Sequence, residues 1–179
     1  DLDLHDHAVL ITGANGGIGR ALAEAFAAEG CRLALLAGTR RAELETWVAT
    51  RPWADRAVCG AVEIADVDAV SDVVGTLRRQ LGGLDHAVAN AGTWPSDEVG
   101  LRDIDPGRVR RVIDVNLLGA MWPARAFLAG LPEAARAGAT ASSTRPGCIA
   151  DVVPSSRDHG NTPRWSSSPS ATKSLRRWK

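Results

Sequence analysis

The chain has 179 residues, of which 45% are hydrophobic and 23% charged, and its formal net charge is zero. This length and composition predict one globular domain with a sizeable hydrophobic core. A zero net charge gives no bulk attraction to nucleic acid or to a membrane surface, so we expect neither as a partner.

The sequence shows no targeting or metal-binding pattern. No segment approaches the roughly 20 apolar residues of a membrane span, and the first seven residues lack the basic and apolar regions of a signal peptide. Cys31, Cys59 and Cys148 have no metal-type spacing and are predicted to be buried thiols in a reducing compartment. We therefore expect a cytoplasmic protein with no metal ligands. The chain contains no Tyr and six Trp, and its lack of an initial Met is consistent with trimming.

A glycine-rich turn joins the first predicted strand, residues 8–11, to the first predicted helix, residues 20–29. Strand, glycine turn and helix in this order are the context of a dinucleotide site. Glycine lets the backbone approach a pyrophosphate closely, and the helix start presents free N–H groups to it. The alternative is an ordinary strand-to-helix turn.

The second predicted strand, residues 32–37, is followed by Gly38, Thr39 and Arg40. In dinucleotide folds this turn faces the adenosine ribose, where an acid binds the 2′-hydroxyl of NAD and a basic or polar residue accommodates the 2′-phosphate of NADP. The turn has no acid, so Thr39 and Arg40 favour NADP(H) over NAD(H). The alternative is that Arg40 and Arg41 are simply solvated at a helix start.

Helices and strands alternate along the rest of the chain, which predicts an α/β fold with a parallel sheet. We predict helices at 42–49, 69–81 and 105–130 and strands at 57–64, 84–89 and 148–153. Asp68 is the predicted N-cap of the second of these helices, and Pro123 is expected to kink the third or end it near Trp122. His86 is expected to be a packed histidine rather than a catalyst. Asn116 lies on the apolar face of the 105–130 pattern, where its amide needs partners.

Three ordered motifs resemble those of the short-chain dehydrogenase/reductase family. Thr12, Gly13, Gly17 and Gly19 match its Thr-Gly-x-x-x-Gly-x-Gly fingerprint, and residues 90–92 match its Asn-Ala-Gly signature. Asp66-Val67 is similar to a pair that lies against adenine in the family. The resemblance implies a Rossmann-like doubly wound parallel sheet with helices on both faces. The cofactor-binding residues it implies are Thr12, Gly13, Asn15, Gly17, Ile18, Gly19, Thr39, Arg40, Asp66, Val67, Asn90, Ala91, Gly92 and Lys173.

A fourth motif, which carries the catalytic residues, is incomplete. Asn116 resembles the family's catalytic Asn, which holds a water beside the catalytic Lys, and Ser156 resembles the Ser that binds the substrate oxygen. Residues 169–173 resemble the family's Tyr-x-x-x-Lys segment, in which Lys173 would bind the ribose and lower the Tyr pKa. Pro169 stands at the Tyr position. Neither His159 nor a Ser is expected to replace the missing acid.

The resemblance implies an NAD(P)(H)-dependent oxidoreductase that interconverts a small-molecule carbonyl and alcohol by hydride transfer, with activity impaired at Pro169. It also implies a homo-oligomer formed through the 105–130 helix. The alternatives are a noncatalytic NADP(H)-binding sensor or partner subunit, and a truncated remnant.

The domain prediction is a dinucleotide-binding region, residues 1–153, followed by an incomplete catalytic segment and irregular tail, residues 154–179. In the family, further strands follow the catalytic Lys, and this sheet would lack them. The change to a tail rich in Ser, Arg, Pro and Trp favours a fragment or a shifted reading frame over a natural noncatalytic relative.

Overall fold

A parallel four-stranded sheet forms the centre of the molecule. The structure, a computed structural model, describes residues 3–94, 99–100 and 102–132. Its strands are β1 (Ala8–Thr12), β2 (Arg32–Ala37), β3 (Ala57–Ala61) and β4 (His86–Val88), in the spatial order β3-β2-β1-β4. The register places Leu10 of β1 between Ala34 of β2 and Ala87 of β4. The predicted strand at 148–153 and the predicted segment at 154–179 lie outside the described residues.

Helices cover both faces of this sheet. They are α1 (Gly17–Ala28), α2 (Arg41–Ala49), α3 (Val67–Leu81), α4 (Pro106–Ile113) and α5 (Gly119–Ala129), with a short 3₁₀ turn at Ala54–Arg56. Successive side chains of a strand point to opposite faces. Val9 and Ile11 accordingly pack with α1 and α2, while Ala8 and Leu10 pack with α3 and α5. The predicted Rossmann-like doubly wound arrangement is therefore confirmed.

The N-cap of α3 corrects one sequence prediction. The Asp66 carboxylate, not that of Asp68, accepts the backbone N–H groups of Asp68 at 3.1 Å and Ala69 at 3.0 Å. The helix consequently begins at Val67, two residues earlier than predicted. Asp68 lies in the first helical turn, where its charge interacts favourably with the helix dipole. The preceding strand is also shorter than predicted, since β3 ends at Ala61.

The predicted helix at 105–130 is interrupted rather than ended. A π-helical turn, Asp114–Leu118, joins α4 to α5. Pro123 lies inside α5, which continues to Ala129, so the expected end near Trp122 is wrong. Arg78 of α3 fixes the C-terminal part of α5. Its guanidinium donates to the carbonyl oxygens of Ala126 and Phe127 at 3.0 and 2.8 Å. Phe127 itself is fully buried.

Among the described residues, an apolar stripe along α4, the π-helical turn and α5 is exposed. Its members recur every four residues and are between 37% and 55% exposed: Val109, Ile113, Leu117 and Met121. Taken together, Pro106–Ala129 is long and apolar enough by length and composition to cross a membrane, which corrects the expectation that no segment approaches such a span. Core helices pass the same test, and Phe127 and the Arg78 contacts pack this one against the sheet and α3.

Candidate functional site

The Thr12 hydroxyl connects the glycine turn to the segment that follows β4. This side chain is buried at the end of β1, and its oxygen accepts the backbone N–H groups of Asn90 and Ala91, both at 3.0 Å. In the reverse direction, the Asn90 side-chain amide donates to the carbonyl oxygens of Thr12 at 3.1 Å and Gly13 at 3.4 Å. Two of the predicted motifs are thus joined into one structure.

Glycine is required at two positions, Gly13 in the turn and Gly19 in the first residues of α1. Gly13 has a φ of +65°, in the left-handed region, and a Cβ there would lie 2.8 Å from the Cα of Ala91. A Cβ on Gly19 would clash with the Gly13 carbonyl oxygen and the Ala14 Cα. Because neither residue carries a side chain, the start of α1 packs directly against the turn.

The start of α1 is open to a ligand. A Cβ on Gly17 would have no atom within 4 Å, and the N-cap residue Gly16 has no side chain with which to cap this helix end. The first N–H groups of a helix have no partner within the helix and favour an anion. Ile18 is 71% exposed beside them. The turn therefore fits a pyrophosphate, which needs a close backbone approach and N–H donors.

A cavity of about 280 Å³ lies beside this turn at the carboxyl ends of the strands. Of the cysteines that the structure describes, neither Cys31 nor Cys59 lines it. Burial raises the pKa of Cys59 to about 11 and also raises the pKa of Cys31, so both thiols stay protonated at neutral pH. Predicted cofactor residues supply much of the lining, namely Gly13, Asn15, Thr39, Arg40, Ala91 and Gly92.

Glu63 and Ile64 line this cavity, whereas the predicted Asp66 and Val67 do not. The chain turns after Ala61 across the strand ends, and the Asp66 carboxylate is already used to cap α3. Sequence reasoning missed Glu63 and Ile64. The sequence signal for them is the capping role of Asp66 before the helix that begins at Val67. If Asp66 is the N-cap, the acidic and aliphatic pair that follows the strand is Glu63-Ile64, three residues earlier.

Three ion pairs lie in or beside the cavity. Glu43 accepts from Arg20 at 2.8 Å and from Arg40 at 3.1 Å. Arg111, which also lines the cavity, lies 3.9 Å from Glu63. The cavity lining therefore contains two guanidinium groups, those of Arg40 and Arg111, each beside a carboxylate.

Asn116 lies in the π-helical turn and is exposed, which corrects its predicted place on a buried face. Its side-chain Oδ1 accepts the backbone N–H of Thr93 at 2.7 Å, and its Nδ2 donates to the Thr93 carbonyl at 2.9 Å. A Cβ on Gly92 would lie 3.2 Å from the same Oδ1. Asn116 therefore holds the π-helical turn to the segment that follows β4 and borders the cavity.

The other predicted catalytic positions, Ser156 and Lys173, lie outside the described residues, as do Pro169 and His159. His86 stacks on His7 with their ring nitrogens 2.9 Å apart, at the amino ends of β4 and β1, whereas the glycine turn lies at the carboxyl end of β1. Within residues 3–94, 99–100 and 102–132, no group of three or more His, Cys, Asp or Glu could hold a metal ion.

Comparison with known proteins identifies the family. A family model described as short chain dehydrogenase matches residues 7–142, so the chain belongs to that family. It is 33% identical over 135 residues to galactitol 2-dehydrogenase of Agrobacterium fabrum, covering 75% of this chain and 51% of that protein. It is 30% identical to a sorbose reductase of Candida albicans, covering 63% of this chain and 40% of that protein.

Solved structures of short-chain dehydrogenases/reductases have a similar fold. A glucose/ribitol dehydrogenase-type short-chain dehydrogenase/reductase from Brucella melitensis superposes with a TM-score of 0.66 at 28% identity, covering 73% of this chain and 54% of that one. A 3-ketoacyl-(acyl-carrier-protein) reductase from the same organism, complexed with NADH, gives 0.63 at 26% identity, covering 69% and 49%. The chain thus spans about half the length of the proteins it matches.

The Thr12 hydroxyl can be tested by Thr12→Val, which keeps the shape of the side chain and removes its oxygen. The N–H groups of Asn90 and Ala91 then lose their shared acceptor, and we expect the free energy of unfolding to fall by about 1–3 kcal/mol in urea denaturation. Thr12→Ser keeps the oxygen and is the control, expected within about 1 kcal/mol of wild type. Equal stability of the Val and Ser variants would contradict this role.

Proposed function

We propose that this short-chain dehydrogenase binds a nicotinamide dinucleotide along the carboxyl ends of β1, β2 and β4. The observation that carries the proposal is the glycine turn, which Thr12 holds against residues 90–91. The turn leaves open space at Gly17 and uncapped N–H groups at the start of α1. A pyrophosphate is the part of the cofactor that such a cradle recognises.

The other cofactor groups are assigned to the walls of the cavity. We assign the adenine to Glu63 and Ile64, in place of Asp66 and Val67, because only the first pair lines the cavity. The exposed Ile18 offers an apolar surface for the nicotinamide side. Lys173 is assigned to the ribose from the family resemblance.

The preference for NADP(H) over NAD(H) rests on the turn after β2. Thr39 and Arg40 line the cavity there, and the turn contains no acid to accept a ribose hydroxyl. A guanidinium binds phosphate oxygens through charge-assisted hydrogen bonds.

The proposed reaction is the interconversion of a small-molecule carbonyl and alcohol. The bound nicotinamide supplies or accepts the hydride. Ser156 would hold the substrate oxygen and Asn116 a water beside Lys173. The names of the relatives, a galactitol dehydrogenase and a sorbose reductase, point to polyols and ketoses as the first compounds to examine. Turnover is impaired because Pro169 has no proton to exchange with the substrate oxygen.

A noncatalytic NADP(H)-binding sensor or partner subunit is the second candidate function. The observation that favours it is the absence of any Tyr among the 179 residues. For either function we propose a cytoplasmic location, since Cys31 and Cys59 are free thiols.

We also propose that a second copy of the chain covers the apolar stripe on α4 and α5. Its four side chains form one continuous face with a spacing of four residues. An isologous dimer would bring the same stripe from each copy together.

Nucleotide binding can be tested by Gly13→Ala, because the added Cβ meets Ala91 and the residue has a positive φ. In titrations that follow NADPH fluorescence, we expect this variant to lose at least tenfold in affinity, more than about 1.4 kcal/mol. Gly75→Ala is the matched control, since its Cβ meets only Arg79 at 3.6 Å. Equal affinities for the two variants would contradict the assigned cradle, and no binding by wild type would overturn the proposed function.

The missing acid can be tested by Pro169→Tyr. With NADPH and a panel of ketoses, we expect its rate to exceed the wild-type rate by about 10²-fold or more, because a positioned acid contributes that much. NADPH affinity should not change. Pro163→Tyr places the same side chain elsewhere in the same stretch and should leave the rate unchanged. A Pro169→Tyr rate equal to wild type would contradict this position of the acid and favour the noncatalytic function.

The dimer can be tested by Leu117→Asp, which places a charge at the middle of the stripe. Light scattering after size exclusion should give a dimer mass for wild type and a monomer mass for this variant, because an unpaired buried charge is costly. Thr46→Asp, at an exposed position of α2, should remain dimeric. A monomeric wild type would contradict the proposed interface.

A further inference from the structure

One carboxylate joins the proposed cofactor arginine to the helix that follows the glycine turn. Glu43 of α2 accepts from the Arg20 Nη2 through one oxygen at 2.8 Å and from the Arg40 Nη1 through the other at 3.1 Å. Arg40 lines the cavity, whereas Glu43 and Arg20 do not. We propose that Glu43 is a specificity-determining residue that holds Arg40 away from the nucleotide and so limits the preference for NADP(H). This inference rests on the proposed nucleotide-binding function.

Arg20 fixes the position of Glu43. Its guanidinium lies 5.2 Å from the centre of the Trp47 ring, a cation–π contact. Trp47 also contacts Arg51 at 5.4 Å and packs edge-to-face with Trp53 at 5.5 Å. The Arg20 side chain is 33% exposed, whereas that of Arg40 is 65% exposed. Glu43 is therefore anchored by Arg20, the more buried of its two arginine partners, and Arg40 is the more exposed partner.

The three charges sum to +1 rather than to the +2 of two free guanidinium groups. A 2′-phosphate that approaches Arg40 must either share it with the Glu43 carboxylate or displace that carboxylate, and it meets a like charge in both cases. The neutral 2′-hydroxyl of NAD(H) experiences neither effect. Removing the Glu43 charge should therefore strengthen NADPH binding selectively, by about three- to tenfold for exposed charges a few ångströms apart.

The same helix contains a matched control. Arg41 and Glu45 form an ion pair at 2.7 Å with comparable exposure. Neither residue lines the cavity. Glu45→Gln removes one negative charge from α2, as Glu43→Gln does, without releasing a cavity arginine.

The experiment titrates the full chain and both variants with NADPH and with NADH, and compares the ratio of the two dissociation constants. We expect Glu43→Gln to tighten NADPH about three- to tenfold and to change NADH less than about twofold, with Glu45→Gln close to wild type. The shift should shrink at about 0.5 M NaCl, because salt screens exposed charges.

An unchanged ratio in Glu43→Gln overturns this inference alone, provided that wild type binds both nucleotides. Weaker NADPH binding by Glu43→Gln also overturns it, since Glu43 would then orient Arg40 toward the phosphate. An equal shift in Glu45→Gln overturns the specific role and leaves only a general effect of charge. A wild-type chain that binds neither nucleotide overturns the proposed function, and this inference with it.

Discussion

The two hydrogen bonds accepted by the Thr12 hydroxyl are the constraint on which the rest of the site depends. They fix the end of the central strand β1 to the end of its neighbour β4. With that spacing set, Gly13 passes Ala91 so closely that no side chain fits. The helix α1 then begins beside open space with its first N–H groups free of side-chain caps. The proposed anion recognition at this turn therefore depends on an interaction between strands.

The segment after β4 connects this cradle to the second half of the site. Asn90 and Ala91 contact Thr12, while Thr93 pairs through both backbone groups with the Asn116 amide. A four-residue segment thus links the glycine turn to the π-helical turn that carries Asn116. The proposed cofactor and catalytic residues consequently depend on one structural unit.

Most of the fold was predictable because its signals are local. Buried strands, the glycine turn and the helix periods are each encoded within about ten residues. Two aspartates before one apolar run made the α3 cap ambiguous, and the capping bonds of Asp66 resolved it. Asn116 was predicted on a buried face because the apolar pattern around it is typical of a core helix, whereas the apolar stripe beside it is exposed. A local pattern specifies an apolar face of a helix but not what covers that face. The Glu43 bridge depends on the packing of α1 against α2, which no local pattern specifies.

Binding of a nicotinamide dinucleotide is proposed for the turn that Thr12 fastens to residues 90–91. Amide hydrogen exchange of the full chain, with and without saturating NADPH, tests it most directly. We expect slower exchange at residues 13–19, 37–40 and 90–93 when NADPH is present, because the ligand covers or engages those backbone groups. Unchanged exchange across these segments, or protection confined to another part of the chain, would contradict it.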